Sequence, residues 1–179
     1  MASKTVRRII FALLTVILGC GGLALLFYFW LNYQSFRADF VAARAQNRVE
    51  QIYTRTRAAA PRGSTLIREA KPQSGTYAWG LSDGASRNAC VRSQQIYTLT
   101  ADLNAVVAAY QTTFRQWGWT ALPNSTSIIR LLFNPPGDKN LWVGLCAPAP
   151  DQYVIFFDFD ESAGCEGTRP ECLAYRYCQ

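Results

Sequence analysis

The chain reads as an α+β protein in two parts: a single N-terminal transmembrane helix, and a small domain with one main helix packed on a mostly antiparallel sheet. Three observations predict this. Residues 9–31, 23 in all, carry no charge. Residues 100–118 repeat apolar side chains at helical spacing. After them come three apolar runs separated by Pro-bearing turns, the pattern of short strands laid side by side.

The first element is a tail, residues 1–8, with Lys4, Arg7 and Arg8. Residues 9–31 follow, long enough at about 1.5 Å per residue to cross roughly 30 Å of hydrocarbon. Tyr28, Trp30 and Tyr33 gather at the far end, where amphipathic rings settle at a membrane interface. Arg37, Arg44 and Arg48 beyond the span nearly balance the leading charges, so a count alone does not orient the helix. The compact basic tail and the export-signal layout of the start place the N-terminus in the cytoplasm. The C-terminal domain then lies outside it, in a periplasm or at the cell surface. Ala12, Thr15, Gly19 and Gly22 follow i, i+3, i+7, i+10 spacing and form a face that suits close approach of a second membrane helix, or that simply reflects how common small residues are in spans.

Inside the span, "ILGC" resembles the lipobox of bacterial lipoproteins, which implies acylation of Cys20. Leu18 stands where a small residue is usual, and mostly apolar residues follow, so the likeness departs from the pattern. The plain reading of Cys20 is a small apolar residue in a helix.

Residues 32–74 read as a basic helical stalk and linker. No Gly or Pro interrupts 32–60. Arg37, Arg44, Arg48 and Arg55 fall within about 20° of one line at about 100° per residue, with Asp39, Glu50 and Arg57 opposite. Such a stripe suits anionic head groups in its first turns, an acidic partner, or plain solvation. "AAAPRGS" at 58–64 breaks the helix, and "KPQSG" at 71–75 marks the entrance to a domain over 75–179.

Within that domain, "TYAWGL" (76–81) and "CVRSQQIYTL" (90–99) read as strands. The helix after them has Thr100 as its expected N-cap and Asp102 in its first turn. Leu103, Val106, Val107, Tyr110, Phe114 and Trp117 form its apolar face, and Gly118 is its stop. Residues 125–134, 140–148 and 152–160 complete the sheet, with "PPGD" and "APAPD" as turns.

Outside a cytoplasm, cysteines form persistent disulfides. Cys90, Cys146, Cys165, Cys172 and Cys178 are the candidates, and five allow fifteen arrangements of two pairs and a leftover. We expect Cys90 or Cys146 to pair with a tail cysteine, and a further pair to close the tail. The spacings do not match C-x₂₋₄-C and histidine is absent, so a structural zinc site is not expected.

Zero histidines removes Ser-His-Asp and Cys-His nucleophiles and most transition-metal clusters. No P-loop or G-x-G-x-x-G occurs. Lys and Arg outnumber Asp and Glu thirteen to four in residues 1–100, whereas 101–179 hold five against eight. That skew is not the footprint of a nucleic-acid binder. Asp158, Asp160 and Glu161 form the one acidic cluster, suited to a hard cation or to solvation. Core filling is the default for the many aromatics, and Trp119, just past the Gly118 stop, is the candidate for an exposed interface or sugar-stacking residue.

The expectation is a non-enzymatic, membrane-anchored accessory or scaffold subunit of a larger envelope complex, with the bilayer and other membrane-protein subunits as partners and no cofactor. The alternative is an anchored domain that binds a glycan, peptide or lipid.

Overall fold

The computed structural model describes residues 4–79, 86–99, 102–123, 128–161, 173 and 176–178. The chain divides into two compact units, Met1–Arg37 and Ala38–Gln179. Helix α1 runs Lys4–Ala58 and contributes to each.

In the first unit, Phe11–Trp30 is long and apolar enough to cross a membrane by length and composition, and none of it is buried within the chain. Its polar side chains turn back on the helix. Thr15 donates to the Phe11 carbonyl at 2.9 Å, and Asn32 to that of Tyr28 at 2.8 Å. Apolar surroundings demand such internal satisfaction.

The second unit is an antiparallel sheet of six strands covered by helices. The strands are β1 (Ser64–Trp79), β2 (Ser86–Leu99), β3 (Thr120–Ala121), β4 (Ile129–Asn134), β5 (Leu141–Ala149) and β6 (Gln152–Asp160). Their order is β1-β2-β6-β5-β4-β3. Helix α2, Leu103–Gln116, lies on the same face as the outer part of α1.

That outer part of α1 buries Ala38, Ala42, Ala45, Val49 and Ile52, a 4-3-4-3 spacing that follows one helix face. Ala42, Ala45, Val49 and Ile52 share one core cluster with Val106, Tyr110 and Phe114 of α2 and Tyr153, Ile155 and Phe157 of β6. The segment read as a stalk is therefore a wall of the domain, and the compact unit begins at Ala38 rather than at residue 75.

The opposite face of the sheet carries Trp142, Val154 and Phe156, covered by Leu173, Tyr177 and Cys178 of the C-terminal tail. With both faces covered, β6 is buried at every position from Tyr153 to Asp160 and shows no polar alternation. Gly144 is required here, because a Cβ at that point would collide with the Phe156 ring.

β1 begins twelve residues earlier than the expected strand at 76, and "KPQSG" lies inside it rather than before it. Its register slips between Leu66 and Arg68 and again between Ala70 and Gln73. Pro72 sits in the second slip on an edge strand, where a missing N–H breaks no ladder bond. Gly80 and Leu81 of the expected strand lie outside the described residues.

Asp102 is the N-cap of α2 and not a first-turn residue: it accepts from the Asn104 N–H at 3.2 Å. Thr100, the expected cap, lies outside the described residues. At the other end Gly118 takes φ +76°. Its N–H bonds the Arg115 carbonyl at 2.9 Å and the next N–H, of Trp119, bonds Phe114 at 3.0 Å, a Schellman closure. The reversal folds Trp119 back onto Phe114, rings 4.4 Å apart. Trp119 is 6% exposed, so it fills the core and is not the exposed interface candidate.

Cys146 of β5 is bonded to Cys178, with Cα atoms 5.8 Å apart and a sequence separation of 32. Closing a loop of that size stabilises the fold by about 3–4 kcal/mol on a chain-entropy basis. Of the two candidates for a tail partner, Cys146 takes it. Cys90 is a free thiol against the Gly75 carbonyl at 3.5 Å. Cys165 and Cys172 lie outside the described residues.

Candidate functional site

The arginine stripe is divided in its duties. Arg37 belongs to the first unit and is exposed. Arg44 and Arg48 line a groove of about 430 Å³ whose other side is Pro136, Gly137 and Asp138 of the β4–β5 turn. Arg48 donates to the Pro136 carbonyl at 3.3 Å. Burial raises the Asp138 carboxyl above its ordinary range, against the pull of the Asn140 N–H and of Arg48 and Arg44. Arg55 lies over the Trp117 ring, 4.0 Å from its centroid. Arg48 and Arg55 thus brace α1 against the rest of the domain while keeping exposed heads.

Asp158 and Asp160 do share one face of β6, and both are buried. Asp158 is engaged by the tail. Its Oδ2 accepts from Arg176 at 2.6 Å and from the Tyr177 hydroxyl at 2.9 Å, both from the tail. Burial pushes its carboxyl above the ordinary value, and Arg176 and Tyr177 pull it down. Oδ1 is buried and has no hydrogen-bond partner among the described residues. Glu161 is engaged elsewhere, accepting from the Ala89 N–H at 3.0 Å. Among the described residues no three of Cys, Asp and Glu gather as a metal-binding group.

A second groove, about 490 Å³, lies on the tail-covered face and is lined in part by Arg176 and Tyr177. Strand register builds its floor. Gln73 of β1 pairs with Arg92 of β2, and Arg92 pairs with Asp158 of β6. Directly opposed residues of an antiparallel pair point to the same side, so these three form a row across the sheet. Arg176 and Tyr177 form the wall, and Lys71 enters from the β1 irregularity. Sequence reading missed this site. Its cations, Lys71, Arg92 and Arg176, are spread over more than a hundred positions, and only strand pairing and the docked tail assemble them. The weak signal was Lys71 beside Pro72, which marks a bulge as well as a linker.

Ala12, Thr15, Gly19 and Gly22 lie exposed along α1, and nothing stands within 4 Å of a Cβ built at either glycine. Leu26, Phe29, Tyr33 and Phe36 continue the alternation of three and four residues and are also exposed.

Comparison with protein-family models, with curated proteins and with solved structures gives no match, which leaves the chemistry of these sites to their own geometry.

Proposed function

We propose that the chain is a non-enzymatic accessory subunit, anchored by residues 9–31 with its N-terminus in the cytoplasm and its head outside. In this reading it joins other membrane-protein subunits of an envelope complex by helix pairing. One observation carries the reading: the exposed seam Ala12, Thr15, Gly19, Gly22, Leu26, Phe29, Tyr33, Phe36. Its three-four alternation is the 3.5-residue period of left-handed helix pairing, in which each seam residue enters a gap on the facing helix. Small residues at one end permit close approach in lipid, and rings at the other supply contact area. A lipid-facing helix requires no such periodic taper.

The test is co-purification in a mild detergent. The wild type is expected to carry partner subunits, and Gly19→Leu with Gly22→Leu to release them while leaving the chain inserted. A monodisperse wild-type monomer, or partners retained equally by the double variant, contradicts the reading.

The alternative, an anchored ligand-binding domain, draws its support from the groove at Arg92. The surplus aromatics do not support it, since Trp117 is braced by Arg55 and Trp119 is buried against Phe114.

A further inference from the structure

We propose that the groove beside Arg92 binds a small soluble sugar phosphate, a site that goes beyond the anchored-subunit reading and stands or falls without it. Three cations from three separate stretches of chain converge there: Lys71 from the β1 irregularity, Arg92 from β2 and Arg176 from the tail. Among the described residues the acid beside Arg92 and Arg176 is Asp158, whose Oδ2 is already held by Arg176 and Tyr177. Asp160, one row further on beside Cys90, is 1% exposed and lines no part of the groove. Arg92 and Lys71 are exposed, and Asp158, the carboxylate opposite Arg92 on β6, directs its Oδ2 to Arg176 and Tyr177.

The number of cations selects the anion. A carboxylate is matched by one guanidinium fork, whereas a phosphate dianion with three acceptor oxygens is matched by several donors from different directions. The carboxamides of Gln73 and Gln94 line the same groove, each able to donate and accept, as neighbouring hydroxyls require. A volume of about 490 Å³ exceeds what a lone phosphate fills and falls in the range of sites for small organic ligands.

The experiment is calorimetric titration of the full chain in a polyoxyethylene detergent, which carries no sugar, with glucose 6-phosphate, inorganic phosphate, glucuronate and glucose as probes. Glucose 6-phosphate is expected to bind tightest, inorganic phosphate and glucuronate at least about threefold weaker, and glucose not measurably. Arg92→Gln should weaken glucose 6-phosphate about tenfold or more and Lys71→Gln severalfold. Arg130→Gln, which removes an exposed cation from β4, three strands away, should leave binding unchanged. Absence of binding by any anion at about 10 mM overturns the proposal. So does an equal loss in Arg92→Gln and Arg130→Gln, which would reduce the effect to net charge. Phosphatidic acid in the micelle displacing glucose 6-phosphate would move the phosphate's source to a lipid headgroup and overturn the assignment of a soluble ligand.

Discussion

At the scale of single residues, Asp158 shows how burial and pairing compete. Its carboxylate has lost all contact with water and gained one guanidinium and one phenol. Burial is the larger influence, so the folded chain holds this proton more tightly than the unfolded chain does. The contribution to stability is therefore complete below the ordinary carboxylate value of about 4 and is lost as pH rises through the raised folded value. Asp158→Asn removes the titration. Urea unfolding of the full chain in micelles, from about pH 4 to 8, should show a flatter profile for the variant than for the wild type. Identical slopes would mean that Arg176 and Tyr177 compensate fully for burial. None of this was legible in "DFDE", where the acids read as a cation site or a solvated strand end. The deciding partners, Arg176 and Tyr177, stand beside the Cys146–Cys178 link in sequence.

At the scale of elements, α2 was the most legible part, because its apolar period, acidic start and glycine stop all agree. What the period does not reveal is the path after the stop. The Schellman closure at Gly118 returns Trp119 to Phe114, so a residue outside the helix joins its apolar face. Trp119→Ala is accordingly expected to lower stability by about 3–5 kcal/mol, read as a drop in the unfolding midpoint. A variant as stable as the wild type would place that ring outside the core. α1 was legible as a helix, yet its role beyond the span was not. The buried face is built largely of Ala38, Ala42 and Ala45, whose small side chains give a faint apolar signal beside four arginines. β1 was half-hidden for a related reason: an edge strand tolerates Pro72 and two register slips that a central strand would not, and both resemble a linker in sequence.

At the scale of the whole molecule, the class was readable because it rests on composition and periodicity: one uncharged apolar helix, then a helix and strands. The site in the second groove was not, since it exists only once β1, β2, β6 and the tail are side by side. The central claim is that the helix at 9–31 holds the disulfide-bearing domain on the non-cytosolic side of a membrane. The most direct measurement is labelling of intact cells with a membrane-impermeant thiol reagent, before and after mild reduction, with each site assigned by mass spectrometry. The account predicts that Cys90 is modified without permeabilisation, and that Cys146 and Cys178 are modified only after reduction. Labelling of Cys90 solely in permeabilised cells, with Cys146 and Cys178 reactive as free thiols, would contradict it.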